Sequence, residues 1–569
     1  MNFLLKIQHK YKINFPQSNA GTHLAYTKIL QFLCKAYFAT KIINNSTHYR
    51  YREIISLVHP NYPTTLPSPI STNVDLTTFT KQTILKCKHL THTKHQKELR
   101  AKINKITKTH EENRQNGKIR KVVQWILEKE SPRRFTTAVT TSNTIHALPK
   151  AAHEATLAHF TNHFTAHPWI KLSEINDTTP AGEALRTSLL NGTWRTDYPT
   201  IVHTLPSRYH HYAAAYLDNF SYKATLEQKL DLGILTSKPI TFETFHSALM
   251  QKAGTKSPGP SGLTISILQS TPTNTLKSIY TALNVMWTHH HVPPSWKKRE
   301  MALLPKKPNS VTLADLRPLM LLEVLRKLWL SLFLKPIASY LVQSNLLCTY
   351  QCGGIPNSGT EDAILQIINT LEDSSERAQN LEILAFDKAK AFDSPGRIGG
   401  ISLAWQRLGV PKHIANYIAE CDNNNQIFPR TPYYLTSNKK SDDLAFHASM
   451  GTPQGCSSAS ISYVAVEDII LSTFQTQLRT IDPYYARDPS GILFPQTPTQ
   501  FVYDTYVFCS TTIGAQNAID LLQTAEPLLN IRINPSKTRH FSLQWCPPTS
   551  NRKPYYTLKT PSKHSMRMT

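Results

Sequence analysis

The chain has 569 residues, 40% of them apolar, and 63 Lys and Arg against 38 Asp and Glu leave a formal charge of +25. That length leaves room for several domains of ~100–200 residues, and the apolar share argues against a disordered chain. No apolar run reaches the ~18 residues of a membrane-spanning helix, and the basic excess favours a polyanionic partner such as nucleic acid.

Residues 1–70 are mixed and run into the Pro-rich "HPNYPTTLPSPIS". The first stretch, "MNFLLKIQHKYKINF", has too short an apolar run for a secretory signal, so a nuclear or cytoplasmic location is expected, not a secreted one. Residues 71–240 read as a basic, mostly helical linker region. Within it, Ile103, Ile106, Val122, Val123, Ile126 and Leu127 fall at helical intervals and predict one or two long helices. The basic face of these helices fits solvent or nucleic acid equally well. Further on, "AAHEATLAHFTNHFTAHPW" is amphipathic and carries His153, His159, His163 and His167. With no acid at a ligand spacing beside them, these read as histidines of a partly buried helix. Cys348 and Cys352 in "CTYQC" read as two small buried residues, since nothing nearby completes a zinc spacing.

After residue 240 the texture changes. A helix "TFETFHSALMQKA", a loop "GTKSPGPSGLT", a helix "TNTLKSIYTALNVMWTHH", a strand "REMALLP", a basic loop and a long apolar helix "LEVLRKLWLSLFLKPIASYL" follow in order. Short links between strands and helices predict an α+β core.

The chemistry concentrates in four later stretches. In "LEILAFDKAKAFDS" a β-type run ends at Asp387, with Asp393 six residues on. A carboxylate at the tip of a buried strand is costly unless a cation offsets its desolvation, although an Asp that caps a helix is the simpler alternative. In "HASMGTPQGCSSASISYVAVEDIIL" a glycine-bounded loop holds Gln454 and Gly455, where backbone can approach a ligand closely. "TPTQFVYDTYVFCS" reads as two strands with a polar break at Asp504. "LLNIRINPSKTRHFSL" reads as strand, turn and strand, with Lys537 after the turn. Upstream, Lys306, Lys307 and Arg317 flank a loop suited to polyphosphate.

In this order the stretches resemble the reverse transcriptase domain of non-LTR (LINE-type) retrotransposons, from about Gly254 to Leu543. "AFDKAKAFDS" is similar to that family's motif A, "MGTPQGCSSAS" to motif B, "FVYDTYVF" to motif C and "LNIRINPSKT" to motif D. "SPGPSGLT" resembles its opening turn, with Ser261 where Asp is usual. "VPPSWKKREMALLPKK" and "LRPLMLLEVLRKLW" resemble the fingers. "YQCGGIPNSGTEDAILQI" resembles the next block, without the usual basic residues around Ile355 to Ser358.

The resemblance implies a polymerase right hand, with fingers and palm over residues 241–545, a mainly helical N-terminal region, a short tail at 546–569 and a truncated or missing thumb. It implies an RNA-directed DNA polymerase that uses an RNA template, a DNA primer and dNTPs, with no membrane partner. Two Mg²⁺ ions would be held by Asp387 and Asp504. Lys537 would orient or protonate pyrophosphate, and Lys306 and Arg317 would hold the triphosphate. Phe392 would lie beneath the sugar and exclude a 2′-hydroxyl, and Gln454 and Gly455 would line the nucleotide pocket. Motif C departs from the family. Where two adjacent Asp are usual, the ungapped register places Tyr503 and Asp504. A phenol with a pKa of about 10 is neutral at pH 7 and does not replace a carboxylate between cations, so impaired catalysis is expected. The alternative is a catalytically dead, nucleic-acid-binding remnant of a retroelement.

Overall fold

The computed structural model describes residues 139–546 and 555–559, apart from 142–143, 166–174, 176–177, 253–256, 307–309, 432, 435–443 and 489. Residues 1–70, the long helices expected before residue 138, His167, Lys307 and most of the tail after 546 lie outside the described residues.

The strands that frame the site are, in chain order, β1 (Lys298–Pro305), β2 (Leu316–Leu321), β3 (Leu381–Phe386), β4 (Gln426–Pro429), β5 (Thr499–Phe501), β6 (Asp504–Cys509), β7 (Arg539–Cys546) and β8 (Tyr555–Lys559). The helices that position them are α1 (Pro149–His163), α2 (Val324–Gln343), α3 (Thr360–Glu376), α4 (Ala459–Thr476) and α5 (Thr512–Gln523). Strands and helices mix as the sequence predicts, in an α+β arrangement of small sheets covered by helices.

The larger sheet has the order β5-β6-β3-β7-β8, with every neighbouring pair antiparallel. Its central strand β3 reads "LEILAF", a nearly continuous apolar run, because both of its faces are covered. Alternation sorts the side chains. Leu384 and its partner Val507 enter the main core with α4 and α5, whereas Ile383 and its partner Phe508 enter a smaller cluster under Ile367 and Leu371 of α3. Helix α4 is buried almost all round, as an apolar helix in the middle of a core must be.

The second sheet has the order β2-β1-β4. β1 and β2 form an antiparallel pair from Glu300↔Leu321 to Pro305↔Leu316, and β4 runs parallel to β1. Along β1, Arg299, Met301 and Leu303 are buried while their neighbours are less so, a period of two. Phe160 of α1 packs with Met301, Leu303, Met320, Ile427 and Phe446 against this sheet. The expected helices at 241–253, 273–290 and 322–341 appear as Phe242–Met250, Thr273–Thr288 and α2. Cys348 and Cys352 are both buried, as expected.

Candidate functional site

Asp387 is the first residue beyond β3, and Asp504 opens β6. The register Thr505↔Phe386, carried one step further, sets Asp504 opposite Asp387 at two adjacent strand tips. The proximity is electrostatic as well as geometric. Partial burial first, and then the Asp387 charge, push the Asp504 carboxyl above its usual range, while Lys388 and Lys537 pull against that rise.

The turn before Asp504 lies slightly earlier than its sequence suggests. Phe501 pairs with Asp504, so Val502 and Tyr503 form a two-residue turn and Asp504 already belongs to the strand. Val502 sits at φ 59, an unfavourable place for a β-branched residue. Two glutamines hold it there. The Gln351 side-chain oxygen accepts from the Val502 amide at 2.8 Å, and its nitrogen donates to the Val502 carbonyl at 3.3 Å. Gln500 donates to that carbonyl at 2.6 Å. Gly353 lies so close that a Cβ there would stand 2.6 Å from the Val502 nitrogen. Thus "YQCGG" clamps the hairpin from outside.

Tyr503 is half-buried, with its ring edge-on to Phe392 at 5.8 Å. Burial raises its phenol pKa and the Asp504 and Asp387 charges add to this, against an opposing contribution from Arg317, so the phenol stays neutral. Phe392 also packs on Tyr463 at 5.1 Å.

Strand alternation turns Lys388 inward, to the face opposite Asp387. Its ammonium is fully buried, 2.5 Å from the Glu467 carboxylate of α4, and Gln500 donates to the same oxygen at 2.9 Å. Burial lowers the Lys388 pKa, while Glu467 and then Asp504 oppose the drop. Asp387 faces outward. Asn534 donates to its carboxylate at 2.9 Å and to its carbonyl at 2.7 Å, and Lys537 stands 3.4 Å away.

The β1–β2 hairpin supplies more positive charge. Lys306, just past β1, donates to the Ala314 carbonyl at 3.0 Å, and exposed Arg317 lies on β2. Partial burial and the nearby charges of Lys537 and Arg317 lower the Lys306 pKa, with Asp315 and Asp393 opposing. Gln454 approaches both Asp393 carboxylate oxygens at 3.5 Å, and its carbonyl accepts from the Met320 amide at 2.9 Å. Gly455, at φ +109, presses on β2, where a Cβ would meet the Met320 oxygen at 2.7 Å. Ser261 donates twice to Glu323, through its amide at 2.9 Å and its hydroxyl at 2.5 Å, and so fixes the "SPGPSGLT" turn against the start of α2.

The structure therefore brings Asp387, Asp504, Lys537, Lys306, Arg317, Phe392 and Gln454 into one neighbourhood, with Gly455 against β2. Sequence reasoning named Lys388 only for its backbone carbonyl, as an aid to Asp387, and missed its side-chain pairing along with Glu467, Gln351, Gln500 and Asn534. It also found no acid for the histidines of α1, yet His163 bonds Asp393 at 2.9 Å, an acid brought from 230 residues away. That contact rests on tertiary packing and leaves no local spacing to read.

Asp387 and Asp504 were expected to hold two Mg²⁺ ions, and the donor set fits that expectation poorly. Two carboxylates converge, but a neutral phenol occupies the third place. Lys537 and Asn534 already engage Asp387, and Lys388 lies within electrostatic reach of Asp504. Among the described residues, no group of three or more His, Cys, Asp or Glu is placed to hold a metal ion. Comparison with known families finds no matching family model, and comparison with curated proteins finds no match.

Proposed function

We propose that this chain is a retroelement-derived reverse transcriptase domain, an RNA-directed DNA polymerase of LINE-type ancestry, whose catalytic centre is impaired at Tyr503. The observation that carries the reading is convergence. Three motif-like stretches, far apart in sequence, bring Asp387, Asp504 and Lys537 to the tips of β3 and β6, and Gln454 of a fourth meets Asp393 a few residues on. In this reading the larger sheet with α4 and α5 is the palm, and the β1–β2–β4 sheet is the fingers.

The roles are those that the resemblance implies. Lys306 and Arg317 hold the triphosphate of a dNTP through charge-assisted hydrogen bonds. Phe392 lies under the sugar, where its ring excludes a 2′-hydroxyl. Gln454 and Gly455 border the nucleotide, and Lys537 stands where pyrophosphate would leave. The net charge of +25 suits an RNA template and a DNA primer. With Tyr503 uncharged, the carboxylates do not supply the charge that a pair of divalent cations requires.

Primer extension on poly(rA)/oligo(dT), with Mg²⁺ or Mn²⁺, tests this. The unmodified chain is expected near background. Tyr503→Asp is expected to raise extension by about 100-fold, equivalent to roughly 2.7 kcal/mol of barrier. Robust extension by the unmodified chain would refute the impairment. A chain that neither binds template–primer nor gains activity from Tyr503→Asp is not a polymerase relative. The second reading, a dead nucleic-acid-binding remnant, is favoured by the lysines that already face both carboxylates. It predicts salt-sensitive template–primer binding and no extension even by Tyr503→Asp.

A further inference from the structure

Helix α3 is turned against its own composition. Its buried positions hold small or polar residues, Ala363, Thr370 and Ser374, with Ile367 and Leu371 partly covered by the sheet. Its larger aliphatics Ile364, Leu365 and Ile368 stand in solvent, 49%, 55% and 41% exposed. On a helix these three positions fall within an arc of about 100°. Apolar side chains scattered singly over a surface are ordinary, whereas three on adjoining turns of one helix mark a place where another element packs.

Charge on the same face says what kind of element that is. From Thr360 to Glu376 the helix has five acids and no Lys or Arg. Asp362 caps Gly359, and Asp373 is held by Arg377 and Tyr484. Glu361, Glu372 and Glu376 are exposed and form no ion pair among the described residues. Glu361 and Glu372 lie one turn before and one turn after the aliphatics, in the same arc, and Glu376 lies at its rim. Such a strip, acidic at both ends and apolar between, repels nucleic acid and suits a basic amphipathic helix.

The chain carries a segment of that kind outside the described residues. Lys94–Lys108, "KHQKELRAKINKITK", has five lysines and one arginine against one glutamate. It sets Leu99, Ile103 and Ile106 at i, i+4 and i+7, three apolar positions on one helical face to meet the three of α3. Residues 109–138 separate it from the first described strand, ~45 Å of chain if helical and ~100 Å if extended, so reach is not limiting. A second exposed stripe, Leu226, Leu230 and Ile234, matches it less well, because Lys229 and Lys238 balance Glu227 and Asp231 there.

We propose that the face of α3 formed by Glu361, Ile364, Leu365, Ile368 and Glu372 is the docking site of the basic segment Lys94–Lys108 of the same chain.

Carbodiimide cross-linking of the nuclease-treated full chain tests this, since the reagent joins an amine to a carboxylate only where the two already meet. Peptide mass spectrometry of the monomeric product is expected to find Lys97, Lys102 or Lys105 joined to Glu361, Glu372 or Glu376. Leu365→Ser/Ile368→Ser keeps every acid but removes most of the apolar contact, and is expected to cut the yield of these links about tenfold. Both residues are exposed, so the urea midpoint is expected to stay unchanged. Leu99→Ser/Ile103→Ser/Ile106→Ser is expected to give the same loss from the other side, with no change to any described residue. Absence of links to α3, whether or not they form at Glu227 or Asp231 instead, overturns the inference. So do links found only in a cross-linked dimer, and so do yields that neither set of substitutions lowers.

Discussion

Val502 shows how much local cost the site tolerates. A β-branched residue at φ 59 stores of order 1–3 kcal/mol of strain, which the surroundings must hold in place. Here the restraint is chemical, since the side chains of Gln351 and Gln500 satisfy both polar groups of the Val502 backbone. The restraint is also steric, because Gly353 leaves no space for the turn to relax. A Cβ on Gly353 would meet the Val502 amide at 2.6 Å and the Phe501 ring at 2.8 Å. Gly353→Ala is therefore expected to destabilise the protein by about 1–3 kcal/mol, the usual cost of overpacking against backbone. Urea denaturation reads this as a lower midpoint at unchanged slope. A midpoint equal to that of the unmodified chain would mean that the hairpin moves freely and that its two glutamines do not clamp it. Tyr503 sits in the same turn, so its replacement by Asp tests charge at a place whose backbone is already fixed.

At the scale of elements, the sheet depends on one buried acid in β3. Glu382 points into the main-core face between β6 and β7, opposite Cys509 on one side and Ser542 on the other. Burial pushes its pKa up, but hydrogen bonds from His540 at 2.7 Å and from Ser542 and Thr512 at 3.0 Å outweigh burial and hold it below the usual range. A carboxyl whose folded pKa is depressed contributes stability above its unfolded value, near 4.3, and loses it as pH falls through the folded value. Stability is thus expected to fall on acidification below pH about 4.5, and Glu382→Gln to flatten that part of the profile. Urea midpoints between pH 7 and pH 3 measure it, and a variant with an undiminished acid slope would assign the loss to other carboxylates. The strands themselves were legible in the sequence. The run "LEILAF" located β3, because a strand covered on both faces is apolar almost throughout, and the aromatic and β-branched residues around Asp504 located β6. The turn was misplaced by a residue because no Gly marks it and Val502 gives no sign of a positive φ. Lys388, Glu467 and Gln351 were not legible as partners. Their contacts join segments scores of residues apart, and each residue type is ordinary where it stands.

At the scale of the molecule, the two sheets must be held in register for the cations of β1–β2 to face the carboxylates of β3–β6. One buried carboxylate bears much of that task. Asp422 follows the helix Lys412–Glu420 and accepts from Arg299 of β1 at 2.7 Å and from Arg326 of α2 at 2.5 Å. Arg326 also donates to the carbonyls of Trp296 and Cys421, at 3.0 and 2.8 Å. Arg397, whose charge also acts on Asp422, donates to the carbonyls of Ala448, Met450 and Gly451 and so anchors the loop that leads to Gln454. Burial opposes ionisation of Asp422, but Arg326, Arg299 and Arg397 together keep its pKa low. Removing one partner of such a cluster strands charge in the interior, so Asp422→Ala is expected to cost about 3–5 kcal/mol. The neighbouring pair Lys297–Glu420 is partly open to solvent, and Lys297→Ala is expected to cost less than about 1 kcal/mol. Hydrogen exchange separates a local from a global effect. If Asp422 ties the second sheet to the rest, amides of β1, β2 and residues 447–455 lose protection in Asp422→Ala before those of β3 and β6. Equal loss everywhere would place Asp422 in the common core, with no particular hold on the second sheet.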